Sequence, residues 1–373
     1  MGGPPGRQGQ RRGGSQGAGN ARARGMKALV TGGAGFIGCN LADRLATDGA
    51  EVVIFDALAR PGVERNLAWL KGRHPARVTA IQADVRDVAA VREAARGVDV
   101  IFHLAAQVAV TTSLLDPPGD LHVNVLGTVN VLEAARKRHT PVIFASTNKV
   151  YGDLSDVPLT LEGDAYRPND ARLRSRGVDE SRPLDFHTPY GCSKGAADQY
   201  VLDYARSFGV PGCVLRMSCV YGPHQMGTED QGWVAHFLIR ALQGQPIAIY
   251  GDGRQVRDIL YVGDAVSAYL AAARRIREVA GRAFNLGGGP ANAVSLLQLI
   301  RHIESLLRHK TPVAFMDWRA GDQRYYVSNT AAVRRDLGLA APLDWRTGLG
   351  LLADWLKSEH RQSDVHRLTE AVS

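Results

Sequence analysis

Thr31-Gly32-Gly33-Ala34-Gly35-Phe36-Ile37-Gly38 joins an apolar run, Lys27–Thr31 (KALVT), to a stretch, Phe36–Thr47, whose pattern predicts a helix. Gly32, Gly35 and Gly38 give the spacing GxxGxxG. The first glycine makes a tight turn, and the second lets backbone approach a pyrophosphate. The third lets the helix pack close to the strand, and the helix N-terminus offers amides and a positive dipole to phosphate. Working outward, apolar strands are predicted at Val52–Phe55, Val78–Gln82, Val98–His103 and Pro141–Ala145. Helices are predicted at Asp87–Arg96 and Asp120–Arg138 between them. Short apolar strands alternating with helices imply a parallel sheet covered on both faces, and right-handed crossovers make it doubly wound.

The second strand ends in Asp56, 18 residues beyond Gly38. An acid there accepts from both adenine-ribose hydroxyls and repels a 2′-phosphate, which favours NAD over NADP. Arg60 lies close enough to keep NADP open. Asp84-Val85 closes the third strand, where an acid meets the adenine amino group or caps the next helix. His103-Leu104-Ala105-Ala106-Gln107 ends the fourth strand in small residues, against which a flat cofactor can lie. Candidate cofactor contacts are therefore Gly32, Gly35, Phe36, Ile37, Gly38, Asp56, Asp84, Val85, Leu104, Ala105, Ala106 and Gln107.

After Ala145 the rhythm breaks. Residues 152–187 form a polar stretch rich in Asp, Arg and Pro without a clear period, expected to be a substrate-side loop or lid. A helix at Tyr190–Phe208 and a strand at Cys213–Met217 resume the pattern. The expected fold class is α/β: a Rossmann-type sheet domain over 26–215, then a smaller mixed α/β substrate domain over 216–373 with segments returning to the sheet.

Tyr190-Gly191-Cys192-Ser193-Lys194 places Tyr and Lys four apart on one helix face. A free Tyr titrates near 10, too high for a base at neutral pH. A neighbouring Lys⁺ and a positive nicotinamide ring both favour the phenolate. A hydroxyl of Ser146-Thr147, at the fifth strand's end, is placed to hold the substrate oxygen. The catalytic candidates are Thr147, Tyr190 and Lys194.

These residues resemble the extended short-chain dehydrogenase/reductase family, the NAD-dependent epimerases and dehydratases of nucleotide sugars, over about residues 26–355. Asn124 in NVLGT, Arg257-Asp258, Asn285 in FNLGG and Arg319-x-Gly-Asp-x-Arg324 extend the likeness. The resemblance implies NAD as cofactor, with Asn124, Ser146 and Met217 as further cofactor-side residues alongside Tyr190 and Lys194. The dehydratases carry an acid just after the Thr, whereas here Asn148-Lys149 follows Thr147. STNKVYGD (146–153), QVAVTTS (107–113) and DQGW (230–233) resemble the branch that inverts carbon 2 of CDP-linked dideoxy sugars. That implies an epimerase with Gln107, Asn148, Lys149, His187, Ser218, Gln231, Trp233, Arg257 and Arg324 on the substrate side. One departure is Cys219, which stands where relatives have a diphosphate-holding Asn; Ser218 is the candidate substitute. A 4-epimerase, a 2-epimerase of another sugar nucleotide and a catalytically silent NAD-binding redox reporter remain alternatives. The resemblance also implies a homodimer or higher homo-oligomer.

Composition sets the outer limits. The 373 residues are 45% hydrophobic and 22% charged, which excludes a disordered, collagenous or coiled-coil protein. The net charge of +8 resides largely in residues 1–25, which hold five Arg and no acid; the remainder is near neutral, so no nucleic-acid partner is expected. Those 25 residues include nine Gly and no large apolar group, and read as a disordered tail. No apolar run approaches the roughly 18 residues of a membrane span. Cys39, Cys192, Cys213 and Cys219 show no metal-ligand spacing, and suit the reduced thiols of a cytoplasmic protein.

Overall fold

The computed structural model describes residues 25–319 and 321–370. The expected tail lies outside them except for Gly25. Seven strands form the central sheet: β1 (Lys27–Thr31), β2 (Glu51–Asp56), β3 (Val78–Gln82), β4 (Val100–His103), β5 (Val142–Thr147), β6 (Gly212–Met217) and β7 (Arg282–Leu286). Their order is β7-β6-β5-β4-β1-β2-β3, and every pairing is parallel. This is the doubly wound sheet expected from the alternating pattern.

Alternation along the strands sends side chains to both covered faces. Val30 of β1 lies in register between Ile54 and Phe102, and all three pack against Leu41 and Leu45 of the helix Phe36–Thr47. Leu29, Ile101 and Phe144 face the other way, onto Val131 and Leu132 of the helix Gly127–Arg136 and Val201 of the helix Thr188–Phe208. Strand order reverses between β1 and β4, so their carboxyl ends diverge into a crevice.

The rest of the chain builds a smaller unit over one end of the sheet. Val256–Tyr261 pairs with Cys219–Tyr221, Ala293–Ser295 and Tyr325–Tyr326, and Ile247–Tyr250 pairs with Val313–Met316. Helices Trp233–Leu242, Leu296–Leu307 and Trp345–Glu370 cover them, burying Phe237, Ile303 and Leu352. No helix among the described residues is long and apolar enough to cross a membrane.

Two elements depart from the sequence expectation. Residues 152–187 are not structureless: they hold a hairpin, Leu159–Glu162 with Ala165–Pro168, and a helix, Ala171–Arg176. Polar contacts dock them on the second unit, with the Tyr166 amide donating to the Arg254 carbonyl (3.0 Å) and the Tyr166 hydroxyl to Asp252 Oδ2 (2.6 Å). Such contacts leave no apolar period to read. The expected helix Asp120–Arg138 is broken into Pro117–Leu121, one π-helical turn at His122–Leu126, and Gly127–Arg136. The wide turn is where the Asn124 side chain leaves the helix to bond the Gln107 backbone.

Candidate active site

A cavity of about 630 Å³ occupies the crevice beyond β1 and β4. Gly32, Gly35, Phe36, Ile37 and Gly38 line it from the first turn. Gly32 has φ +68°, and a Cβ there would lie 2.7 Å from the Ala105 amide nitrogen; at Gly38 a Cβ would overlap the Gly32 carbonyl oxygen. Only glycine lets the turn run this close to the β4 loop and the helix start. Asp56, at the end of β2, accepts from the amides of Ala34 (3.0 Å) and Leu58 (2.9 Å), which fixes its carboxylate at the rim. Val85, Leu104, Ala105, Ala106 and Met217 supply apolar wall. Helix amides for a pyrophosphate, an acceptor-only carboxylate for ribose hydroxyls and flat apolar walls for two rings fit a dinucleotide.

Asp84 also lines the cavity, where Arg86 holds both its oxygens (2.9 and 2.8 Å) and the Arg86 hydrogen bond keeps its pKa below the ordinary value. It does not cap a helix; Asp87 caps Val88–Ala94. Arg60 reaches across the opening to the Gln231 side-chain oxygen, so its charge is engaged on the second unit.

Tyr190 and Lys194 lie one turn apart near the start of the helix Thr188–Phe208, and Lys194 lines the cavity. The Tyr190 phenol is hydrogen-bonded to Thr147, at the end of β5. All three are buried. The expected lowering of the Tyr190 pKa by Lys194 is not seen. Burial pushes the phenol up to about 12, with Asp120 adding to the rise and the Thr147 hydrogen bond opposing it. Lys194 is itself desolvated: burial pulls it down to about 7 against Asp198 and Asp120, and its Nζ sits 4.1 Å from the centre of the Phe144 ring. The same burial that raises Tyr190 thus works against the Lys194 charge.

Two expected cofactor contacts, Ser146 and Asn124, are turned into the protein instead, and a third, Gln107, lines the cavity with its side chain already bonded to the protein. The Ser146 hydroxyl donates to Asp198 Oδ2 (2.8 Å), because neighbours on a strand face opposite ways and only Thr147 meets Tyr190. Asp198 in turn takes Nε and Nη2 of Arg216 (both 2.9 Å) in a fully buried pair. Asn124 accepts from the Gln107 amide (2.9 Å) and donates to its carbonyl (3.0 Å), bracing the cavity wall from behind. The Gln107 side chain donates to Asp120 Oδ1 (2.7 Å) and accepts from the Ala109 amide (2.6 Å), so its amide group is already spent.

On the substrate side, Asn148 donates to Gln323 Oε1 (3.1 Å). Lys149 donates to the Gly321 carbonyl (3.0 Å) and lies 3.8 Å from Asp322, which Arg257 also contacts (2.8 Å). Two cationic side chains thus share one carboxylate, and burial works against the Lys149 charge. Ser218 departs from its expected phosphate role: its hydroxyl donates to Asp258 Oδ1 (2.6 Å). Cys219 accepts from Trp233 Nε1 (3.2 Å). His187 lies between Asp185 (3.0 Å) and Asp153 (3.6 Å), and Arg324 is exposed over the Trp318 and Tyr166 rings.

The sequence pattern of the NAD dependent epimerase/dehydratase family matches residues 28–287. The chain belongs to that family. It is 39% identical over 342 residues to the CDP-paratose 2-epimerase of Salmonella typhi, covering 89% of this chain and 100% of the relative. A dTDP-glucose 4,6-dehydratase of Mycolicibacterium smegmatis is 32% identical over 339 residues, covering 89% and 94%. The crystal structure of UDP-glucuronic acid 4-epimerase from Bacillus cereus, in complex with UDP-glucuronic acid and NAD, superposes with a TM-score of 0.76 at 27% identity, covering 89% of this chain and 99% of that one.

This epimerase/dehydratase is accordingly an NAD-dependent enzyme of nucleotide sugars. Several residues that shape its site carry no motif. Asp198, Ser193 and Asp120 lie at helix positions where polar residues ordinarily face solvent. Gln323 is completely buried, its amide donating to the Gly152 carbonyl (2.6 Å). Helical spacing from Tyr190 and Lys194 points Ser193 and Asp198 inward, a faint signal beside the surface alternative, and Asp120 and Gln323 lie on other elements with no such signal.

Proposed function

We propose that the enzyme inverts carbon 2 of a CDP-linked 3,6-dideoxy sugar, converting CDP-paratose to CDP-tyvelose through a transient 2-keto sugar. The observation that carries this reading is the end of β5. Asn148 and Lys149 stand where a dehydratase needs a carboxylic acid to protonate and expel a hydroxyl, and both are engaged with the 321–323 segment. The likeness to the Salmonella typhi enzyme over that relative's whole length supports the same reading.

The sugar's chemistry narrows the route. A ketone at carbon 4 acidifies carbons 3 and 5 but not carbon 2, so inversion at carbon 2 needs oxidation at carbon 2 itself. When bound, NAD supplies the hydride acceptor and donor for that oxidation and return, and a positive ring beside Tyr190. Tyr190 takes the proton of the 2-hydroxyl, and Thr147 holds the same oxygen and the phenol in line. Lys194 holds the cofactor ribose and, when charged, favours the phenolate that burial disfavours. Lys149 and Arg257 are the cationic groups assigned to the diphosphate. The planar keto sugar turns over about its diphosphate link, so that the hydride would return to the opposite face of carbon 2 while Tyr190 gives the proton back to the carbon-2 oxygen. Holding both reactants in near-attack geometry supplies much of the acceleration.

Exposed Leu114, Leu115, Leu121 and Leu126, with Tyr200 on the Tyr190 helix, support association of two copies through this side of the sheet. Proton NMR of the enzyme with CDP-, UDP-, GDP- and dTDP-sugars tests the reading. Turnover of CDP-paratose at carbon 2 is expected. Inversion at carbon 4 of a UDP-sugar would favour the 4-epimerase alternative, and no turnover of any sugar would favour a silent NAD binder.

A further inference from the structure

Asp120 is buried (1% exposed) and forms no ion pair among the described residues. Its hydrogen bonds come from neutral groups: Gln107 Nε2 (2.7 Å), Asn124 Nδ2 (3.2 Å) and the Ser193 hydroxyl. Those donors sit on three separate elements, namely the cavity-wall loop after β4, the π-helical turn and the catalytic helix. Ser193 immediately precedes Lys194, and its oxygen lies 3.2 Å from the Tyr190 carbonyl. A buried carboxylate is costly unless hydrogen bonds and nearby positive charge offset the loss of water. The positive charge it acts on is Lys194.

We propose that Asp120 is a positioning residue: it ties the Tyr190–Lys194 turn to the cofactor-side loop and keeps the ammonium charge on Lys194. This rests on Lys194 facing the cofactor, but not on which sugar is the substrate. The charged and titratable groups around Lys194 are few. Asp198 lies one turn on, clamped by Arg216 of β6 and Ser146 of β5. Tyr190 lies one turn back, and His103 of β4 is kept neutral by burial, with a pKa near 3. Asp198 favours the Lys194 charge more strongly than Asp120 does, but it is also tied to Arg216; Asp120 is the nearby acid with no cation among the described residues to pair it.

Asp120→Asn removes the charge and keeps the shape. Its carbonyl oxygen can accept from Gln107 and Asn124, while the Ser193 hydroxyl turns to the Tyr190 carbonyl and accepts from the new amide. Ser193→Ala does the reverse, cutting the tether but keeping the charge. NAD binding by the full-length protein is measured calorimetrically from pH 5.5 to 9, with circular dichroism to verify folding. In the unaltered protein, affinity should fall as pH rises and Lys194 loses its proton. In Asp120→Asn the fall should move down by about half a pH unit or more, weakening NAD about twofold or more at pH 7 and about threefold or more at pH 8. Ser193→Ala should keep the original midpoint, and Asp120→Glu should restore it. Asp120→Ser replaces the asparagine variant where that one does not fold. A folded Asp120→Asn protein with the original profile would overturn the proposal, as would an equal shift in Ser193→Ala. A pH profile unchanged in Lys194→Met would overturn the reading of Lys194 itself, and the proposal with it.

Discussion

Replacing Asp198 by Asn strikes the buried ion pair beneath the site. Asp198 is completely buried, and the Arg216 side chain is 5% exposed. Both carboxylate oxygens are used twice, by Arg216 Nε and Nη2 at 2.9 Å, by Ser146 at 2.8 Å and by Gln199 at 2.9 Å. Burial works against the Arg216 charge, but the Asp198 carboxylate more than offsets it and holds the guanidinium protonated. Asparagine removes the counter-charge and points an NH₂ at a group that only donates. Breaking a buried pair from one side costs about 3–5 kcal/mol. Unfolding entropy of about 2.1 cal/mol/K per residue makes that a fall in Tm of roughly 4–7 °C for a chain of this size. Scanning calorimetry at pH 7.5 reads it directly. The double variant Asp198→Leu/Arg216→Met should recover most of the loss, because no unpaired charge remains. A single variant within about 1 °C of the parent, or a double variant worse than the single, would refute the reasoning.

Tyr190→Phe should lower turnover by on the order of 10²–10⁴-fold, the usual worth of a positioned acid–base group, while NAD affinity by calorimetry stays unchanged. Asp56→Asn should weaken NAD and narrow or reverse its preference over NADP, since the residue that repels a 2′-phosphate loses its charge; a preference unaltered in competition titrations would contradict that role. His103 accounts for part of the acid sensitivity. Burial, with the Lys194 charge adding, holds its pKa near 3 in the fold, while the unfolded chain takes the proton near 6.5. Its contribution is therefore complete above pH 6.5 and lost as pH falls toward 3, by up to about 1.4 kcal/mol per pH unit. Urea unfolding at pH 7.5 and 5.5 should show a steeper loss in the parent than in His103→Gln; equal losses would remove His103 from the account.

Much of the fold was legible because its signals are local. The helix Phe36–Thr47 and the strands Lys27–Thr31 and Val78–Gln82 fall at the boundaries read from apolar runs and glycines. The helix Val63–Arg73 escaped because it buries only Val63, Asn66 and Leu70, too few for a stripe. The break at His122–Leu126 escaped because it depends on an amide, Asn124, that bonds a loop 17 residues away. Within the site, spacing brings Thr147, Tyr190 and Lys194 to one place, yet it says nothing of which hydroxyl faces which way. Ser146 and Thr147 are chemically alike, and only the strand's pleat sends one to Asp198 and the other to Tyr190. The Tyr190 pKa is hidden from the sequence for a related reason. Sequence shows that a lysine is near but not that both groups are buried, and burial is the larger effect here.

The central claim is that carbon 2 gives up and regains a hydride without exchange with water. CDP-paratose carrying deuterium at carbon 2, turned over in ordinary water and followed by proton NMR, addresses it most directly. The label should be retained at carbon 2 of the inverted product, because it leaves the sugar as hydride and returns to the opposite face. Washout of deuterium at carbon 2 would mean that the hydrogen departs as a proton, and would contradict the account.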